Sequence, residues 1–296
     1  FLYMKKLLIT SIIVLVILGV FIIKYEEIIN ENKIKVVATF YPLAYLVEKI
    51  GGDRVYVKTL MPYNTEPHHW SPSPSDIMEV TKADVIIFNG ANLDDFLIKE
   101  ILSIVNLSGK IIVNTTEGLP LININGKIDP HTWISPYMAL KQAERILNAL
   151  IEKDPNGKNY YIERFNELKN KLKELDIKYQ EELSNKTKNI IVVNHEAFGY
   201  LAKRYGFEQI GIIGLSVEEE PSPILIKHII EVIRNYNISV IYVDPTFPKS
   251  YADLIKKEIN NIKIVELYLA LGPIDNKDYL KQLEENLNAL KIGLIE

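Results

Sequence analysis

Cysteine is absent from this chain of 296 residues. Its absence excludes disulfides, thiolate nucleophiles and zinc sites built on cysteine. It also removes the lipid-bearing cysteine that many exported bacterial proteins carry just after the signal. Histidine and tryptophan are scarce, at five and two residues. A formal net charge of -4, with no basic cluster in the body of the chain, argues against a nucleic-acid-binding surface.

An apolar run near the N-terminus is typical of an export or anchor segment. Residues 7–23 carry no charge. Lys5 and Lys6 precede them, and Lys24 follows them. The run is short for a spanning helix, longer than a usual signal core, and not followed by a small-residue cleavage site. We therefore expect residues 1–29 to anchor the protein in the membrane, with the lysines inside and the body on the extracytoplasmic face. Cleavage of this segment would instead give a secreted protein.

Short runs rich in Ile and Val recur through the body of the chain, and a helical pattern follows each one. Nearly continuous apolar runs of this kind predict parallel strands that helices bury on both faces. They lie at 33–40, 55–61, 84–90 and 110–116 in the first half and at 189–194, 208–216, 238–244 and 262–268 in the second. The alternation predicts an α/β protein of two lobes, each built on a sheet of roughly four parallel strands.

One long helix is expected between the two sets of strands. Apolar residues recur at helical spacing across 156–185, with no proline and no glycine after Gly157. A coiled-coil partner helix is the alternative, but the segment occurs once and α/β patterns flank it. We interpret it as a stiff rod that joins the lobes. The expected divisions are an anchor at 1–29, a first lobe at 30–155, the rod at 156–185 and a second lobe at 186–296.

Three of the five histidines fall at the same predicted edge of the two sheets. His68 lies in the loop after the second strand, His131 in the loop after the fourth, and His195 directly after the fifth. Ligands of open parallel sheets bind beyond the carboxyl ends of the strands. Neutral imidazole is a good zinc ligand, and three imidazoles with one open position form a nearly tetrahedral site. The sequence therefore predicts a divalent-metal site at these three residues.

His68 and His131 share a P-H-x-W setting. A proline before the ligand reduces the chain entropy lost in positioning the ring, and the tryptophan is expected to shield the site from water. A solvent-facing or supporting role is expected for His69. A structural role is expected for His228, which lies in the middle of a helical pattern.

Four ordered motifs resemble those of the zinc- and manganese-binding solute-binding proteins of ABC importers. They are PHHWSPSPSD from residue 67, DPHTWISP from 129, NHEAFGYLAKRYG from 194 and EEEPSP from 218. The resemblance covers nearly all of the chain after about residue 33. It implies two α/β lobes joined by one long rigid helix, with the metal held between the lobes by His68, His131 and His195.

The third ligand position separates the zinc carriers of this family from the manganese carriers. Manganese carriers have a carboxylate where this chain has His195, whereas zinc carriers have histidine. The resemblance therefore implies Zn²⁺, with Mn²⁺ as the alternative. The Asp that serves as a fourth ligand in the family has no counterpart in 265–273, where Glu266 is the nearest carboxylate and Tyr268 takes the Asp position. Water or a carboxylate is expected to complete the site.

The function implied by the resemblance is capture of the ion outside the cytoplasm by a monomer that delivers it to a membrane permease driven by a separate ATPase. A zinc-dependent hydrolase is the alternative from another class, since HEAFG at His195 contains part of the H-E-x-x-H motif. There Glu196 would be the general base, but Gly199 stands where the second histidine is needed. A haem- or chelated-iron-binding protein fits less well, because the candidate ligands cluster in proline-rich loops.

Overall fold

A computed structural model describes most of the chain beyond the N-terminal segment. The described residues are Ile12, 15–19 and 33–295 except 125, 216–220 and 260, without the side chains of His69, Phe96 and Leu97. The anchor expected at 1–29 therefore lies outside the described residues, apart from six helical positions. Residues 218–220, which form the EEE part of the EEEPSP motif, also lie outside the described residues. Within the described ranges no helix combines the length and apolarity needed to cross a membrane.

The first half of the chain folds around a parallel four-stranded sheet of order β2-β1-β3-β4. Its strands are β1 (Ile34–Ala38), β2 (Val55–Thr59), β3 (Val85–Phe88) and β4 (Ile111–Asn114). The accompanying helices are α1 (Tyr41–Gly51), α2 (Pro74–Lys82), α3 (Asp95–Ile104) and α4 (Pro136–Lys153), and a hairpin of β5 (Asn123–Ile124) and β6 (Lys127–Ile128) precedes α4. Residues Val85 to Ile87 of central β3 are fully buried, which explains the continuous apolar run.

The long helix α5 (Lys158–Glu182) follows a single 3₁₀ turn at Pro155–Gly157. It packs along α1 and α4 of the first half and against the last helix of the chain. One stripe of α5 is buried, through Tyr161, Phe165, Leu168, Leu172, Leu175 and Tyr179. The predicted helix at 156–185 is thus confirmed, and its stripe is part of the main hydrophobic core rather than a face that spans solvent.

The second half repeats the sheet of the first. Strands β7 (Ile190–His195), β8 (Glu208–Ile213), β9 (Val240–Val243) and β10 (Lys263–Glu266) form a parallel sheet of order β10-β9-β7-β8. Its helices are α6 (Gly199–Tyr205), α7 (Pro223–Asn235), α8 (Ser250–Glu258) and α9 (Tyr279–Leu294). In both sheets the first strand lies between the second and the third, which opens a crevice at the carboxyl edge. The predicted two-sheet α/β fold is confirmed; the expected residue limits of the lobes stay a prediction.

Hydrogen bonds tie the two halves together on one side of the crevice. Trp133 donates through Nε1 to the carbonyl of Leu269 at 2.8 Å, and Tyr279 donates through its hydroxyl to the carbonyl of Trp133. Tyr45 donates to Asp278 Oδ2 at 2.9 Å. These bonds join residues far apart in sequence, so the segment after β10 holds the second half against the first.

Leu172, at the centre of the buried stripe of α5, is fully buried in the main core. We expect Leu172→Ala to lower the free energy of unfolding by about 2–5 kcal/mol, because the truncation leaves a cavity between α5 and its neighbours. Urea unfolding followed by circular dichroism measures the change. The matched control is Ile177→Ala in the same helix, where the side chain is 52% exposed and the change should stay within about 0.5 kcal/mol. Equal losses for the two variants would contradict the packing described for α5.

Candidate metal centre

The three predicted histidines occupy three different kinds of backbone. His68 lies in a 3₁₀ turn (Pro67–His69) after β2, and its N–H donates to Glu66 Oε1 at 3.2 Å. His131 immediately precedes a second 3₁₀ turn (Thr132–Ile134) that leads into α4. His195 is the last residue of β7. All three therefore stand at the carboxyl edges of the sheets, as the sequence predicted.

The fold brings these three rings together. One ring nitrogen from each histidine lies within 4.8 Å of the other two, and among the described residues no other set of three His, Asp or Glu donors meets this distance. The Nε2 atoms of His131 and His195 are 3.1 Å apart. The His68 ring centroid is 5.8 Å from that of His131 and 6.4 Å from that of His195. His131 and His195 are 3% and 4% exposed, and His68 is half-buried.

Asp129 fixes the orientation of the His131 ring. The fully buried carboxylate accepts the backbone N–H of His131 at 2.9 Å, and the same Oδ1 lies 2.8 Å from Nδ1 of the ring. We assign the ring proton to Nδ1, because the ionised carboxylate can only accept. Nε2 then carries the lone pair and faces His195. This is the arrangement by which an outer carboxylate positions a metal-binding imidazole.

His195 is held in its neutral form. Burial lowers its pKa well below 6.5, and the positive charges that His131 and His68 can carry act in the same direction. The backbone of Gly214, as a hydrogen-bond acceptor, opposes the shift. The ring stacks on Phe247, with centroids 6.1 Å apart and planes 5° from parallel. A neutral imidazole keeps the lone pair that binding of a metal ion requires.

The two tryptophans of the P-H-x-W repeat have different surroundings. Trp133 is fully buried, with its ring centroid 5.3 Å from that of His131 and an edge contact to Phe40 at 4.7 Å. Trp70 is half-buried and packs against the apolar clusters of the first half of the chain. Trp133 therefore backs the His131 ring directly, and Trp70 ties the His68 loop to the core.

Two carboxylates of the second half, Glu266 and Asp244, lie outside the three-histidine group among the described residues, and Glu266 is the one that the sequence offered as a fourth ligand. Glu266 is exposed and accepts the hydroxyl of Tyr268 at 3.0 Å. Asp244, at the carboxyl end of β9, is buried and accepts the N–H of Leu269 at 2.6 Å; burial raises its pKa. The sequence predicted no role at the site for His228, and the structure places it on an exposed face of α7.

The arrangement needed for a hydrolase is not present at His195. A Cβ atom at Gly199 would stand 2.5 Å from Asp129 Oδ2, so the second histidine of an H-E-x-x-H motif has no room. Glu196 accepts the N–H of Gly211 at 3.2 Å and lies outside the described group of three donors. Burial raises the pKa of Glu196. The residues that would form the second ligand and the general base are thus missing or directed elsewhere.

A buried polar network beneath the His131 loop went unrecognised in the sequence. Fully buried Asp94 accepts the Thr39 hydroxyl at 2.6 Å and the backbone N–H groups of Asn89 and Gly90, each at 2.8 Å. Burial raises the pKa of Asp94 to about 6. Asn89 in turn donates to the carbonyl of Pro130 at 3.0 Å, next to His131. In the sequence, this network is signalled by the polar stretch that follows the apolar run of β3.

Comparison with known proteins gives consistent matches over the body of the chain. The profile of the family described as zinc-uptake complex component A, periplasmic (ZnuA), matches residues 36–293. The high-affinity zinc uptake system protein ZnuA of Bacillus subtilis is 29% identical over 283 residues, covering 89% of this chain and 88% of that protein. The manganese-binding lipoprotein MntA of Halalkalibacterium halodurans is 27% identical over 266 residues, covering 88% of each.

A solved structure supports the same relationship. The crystal structure of the Zn(II)-bound ZnuA-like domain of Streptococcus pneumoniae AdcA aligns with a TM-score of 0.78 and 29% identity, and the match covers 89% of this chain and 100% of that domain. The relatives of this chain are thus named for zinc in some cases and for manganese in others.

The depressed pKa of His195 predicts that acid destabilises the metal-free protein. Above pH 6.5 the residue is neutral in both the folded and the unfolded chain and contributes nothing. Below pH 6.5 the unfolded chain takes up a proton that the folded chain does not, so the free energy of unfolding falls by at most about 1.4 kcal/mol for each pH unit. Urea unfolding between pH 5 and 8 should show a shallower fall for His195→Gln. The exposed-site control, His228→Gln, should keep the wild-type slope, and parallel curves for wild type and His195→Gln would contradict the assignment.

Proposed function

The chain belongs to the periplasmic zinc-uptake complex component A family, and we propose that it captures a divalent metal ion outside the cytoplasm and delivers it to an ABC importer. The observation that carries the proposal is the group of three imidazole donors within 4.8 Å of one another, two of them buried. Three imidazoles at this spacing, two of them buried and one of those held neutral, provide the nitrogen donors that a divalent metal ion binds. The ion is the cargo of the protein.

We favour Zn²⁺ over Mn²⁺ as that cargo. The donors of the group are three imidazoles, a set that suits zinc, whereas Mn²⁺ prefers carboxylate, carbonyl and water oxygens. Relatives named for either metal are known, so family membership does not decide the choice. Glu66 Oε1 lies 3.8 Å from Nε2 of His68, close enough for a short movement to bring one carboxylate to the ion. Glu66 or a water molecule is the fourth ligand that we infer.

Capture and release follow from which element carries each ligand. His131 belongs to the first half of the chain and His195 to the second, so an ion bound by both lies across the seam between the two sheets. The Nε2 atoms are 3.1 Å apart, and a modest tilt that separates them removes one donor from the ion. We infer that release to the permease uses such a tilt with movement of the His68 loop, because α5 packs against both halves and resists wide opening.

The partners that we propose are a membrane permease and the ATPase that drives it. We expect the protein to act as a monomer on the extracytoplasmic face of the membrane, held there by the N-terminal segment. No catalytic activity is proposed, since Glu196 and position 199 do not supply the residues that zinc-dependent hydrolysis needs.

Competitive calorimetry on the chelator-stripped protein tests the site. We expect one Zn²⁺ per chain, bound more tightly than Mn²⁺. Replacing His131 with Ala should weaken Zn²⁺ binding by about 100-fold or more, equivalent to roughly 2.7 kcal/mol, while the circular dichroism spectrum stays unchanged. The matched control is His228→Ala, which removes an exposed histidine and should leave the affinity intact. Unchanged Zn²⁺ affinity in His131→Ala would remove the basis of the proposed function.

Asp129 should set the affinity through His131 without touching the ion. We expect Asp129→Asn to weaken Zn²⁺ binding about 10- to 100-fold, because a neutral amide no longer favours the Nδ1 proton or supports the charge of the bound ion. Asp244→Asn is the matched control, since Asp244 is also buried at a carboxyl edge but lies outside the group. Urea unfolding reports any loss of stability separately. If both variants weaken Zn²⁺ binding equally, the effect is general destabilisation and the positioning role of Asp129 is wrong.

A further inference from the structure

The helix α6 begins four residues after His195 and makes a hydrogen bond across the seam between the two halves of the chain. Its second residue, Tyr200, is 5% exposed, and the hydroxyl donates to the carbonyl of Asp129 at 2.7 Å. Tyr200 belongs to the second half, whereas Asp129 belongs to the first half and orients the ring of His131. The hydroxyl therefore bonds to the residue that sets the geometry of His131.

The same hydroxyl stands between two strands of the first half. The hairpin of β5 and β6 pairs Asn123 with Ile128, so Ile122 and Asp129 are the next pair along it. The N–H of Asp129 donates to the carbonyl of Ile122 at 2.9 Å, as in a regular antiparallel pair. In such a pair the N–H of Ile122 would donate to the carbonyl of Asp129; here it donates to the hydroxyl of Tyr200 at 3.2 Å. The hydroxyl thus accepts from one strand and donates to the other.

The hairpin does not need this insertion for its own hydrogen bonds. A direct bond between Ile122 and Asp129 would satisfy the same N–H and the same carbonyl. What the hydroxyl of Tyr200 adds is a link from this pair to α6. Burial raises the pKa of Tyr200; the N–H of Ile122 opposes the shift and the charge of Asp129 adds to it. The hydroxyl consequently keeps its proton at neutral pH and remains a donor.

A second contact places the start of α6 against Asp129. Gly199 has no side chain, and a Cβ atom there would stand 2.5 Å from Asp129 Oδ2. The backbone of α6 therefore lies directly on the carboxylate whose other oxygen, Oδ1, bonds to His131. Gly199 contacts the side chain of Asp129, and Tyr200 bonds to its backbone.

These contacts connect two of the three metal donors. In the second half, His195 ends β7, and Tyr200 follows it by five residues. In the first half, Asp129 precedes His131 by two residues and bonds to both its N–H and its ring. The bond from Tyr200 to Asp129 therefore closes a short circuit of covalent and hydrogen bonds between the two donors, whose Nε2 atoms lie 3.1 Å apart.

We propose that Tyr200 is a positioning residue of the metal centre, whose hydroxyl holds Asp129 and the ring of His131 in place relative to His195. This role rests on the proposed function, because it concerns the same imidazole donors. Tyr200 acts through Asp129 and does not bind the ion. The tilt inferred for release must break the bond between Tyr200 and Asp129 or turn about it. The bond thus favours the arrangement that retains the ion.

The first test uses metal-free protein with ¹⁵N-labelled histidines. In the wild type we expect the ring of His131 to carry its proton on Nδ1, with a proton signal that exchanges slowly with water. Tyr200→Phe removes only the hydroxyl. We expect it to move the ring nitrogen shifts of His131 toward the average of the two neutral forms and to accelerate the proton exchange. His228, on an exposed face of α7, is the internal reference and should not change.

Calorimetry with Zn²⁺ measures the consequence for binding. Tyr200→Phe should weaken the affinity about five- to tenfold, because the arrangement that binds the ion is less populated in the metal-free protein. The matched control is Tyr242→Phe, which removes the hydroxyl of another buried tyrosine. That hydroxyl donates to the carbonyl of Ala289 at 3.1 Å, within the second half. We expect both variants to lower the stability in urea, but Tyr242→Phe to change the Zn²⁺ affinity less than twofold and to leave the signals of His131 unchanged.

Three results would overturn the proposal. Wild-type signals of His131 in Tyr200→Phe would show that the hydroxyl does not position the ring. Unchanged Zn²⁺ affinity in this variant would show that the position of the ring does not limit binding. Equal effects of Tyr200→Phe and Tyr242→Phe would indicate general destabilisation. If the wild type itself binds no Zn²⁺, the proposed function fails, and the histidine signals of the metal-free protein still decide whether Tyr200 positions His131.

Discussion

The central constraint on this structure is that three imidazoles must be packed together without their charges. Ring nitrogens within 4.8 Å of one another, two of them on buried residues, cannot all be protonated at an acceptable cost. Burial keeps His195 neutral, and Asp129 directs the proton of His131 to the nitrogen that faces away from the group. Neutral rings gain little energy from contact with one another. The surrounding structure must therefore hold the three rings in place. The buried Asp94 network and Trp133 provide that rigidity beneath the His131 loop.

The scaffold converts this local arrangement into a site shared by two sheets. Parallel strands leave their carboxyl ends at one edge, and the strand order in each half opens a crevice there. The long helix α5 contributes its buried stripe to a core that includes residues of both halves. The bond from Trp133 to the carbonyl of Leu269 and the bond from Tyr279 to the carbonyl of Trp133 close one side of the seam. These contacts limit how far the two sheets can separate at the crevice.

Local sequence patterns were sufficient for the eight parallel strands, the long helix and the three histidines, but not for the β5–β6 hairpin or for the surroundings of the histidines. Each apolar run became a strand, seven of them within the predicted range and β7 extending one residue beyond it to His195, because burial on both faces leaves a continuous signal. The group of three histidines could be inferred since strand ends share one edge. The role of Asp129 toward His131 and the contact of Gly199 with Asp129 depend on how distant segments pack. Glu266 was a candidate by position in the sequence alone, and its bond to Tyr268 directs it elsewhere.

The proposed preference for a nitrogen-binding metal is supported by the hydrogen bonds of three carboxylates. Asp244 accepts the N–H of Leu269 and two hydrogen bonds from Thr246, Glu196 accepts the N–H of Gly211, and Glu266 accepts the hydroxyl of Tyr268. Each of these three carboxylates is thus engaged by a protein donor and lies outside the three-histidine group. An ion that prefers oxygen would have to break such a bond to gain a ligand, whereas an ion that accepts imidazole loses nothing. Under the proposed function, selectivity therefore comes from three nitrogen donors together with a single oxygen donor, from Glu66 or water, while the other three carboxylates stay bound to protein groups.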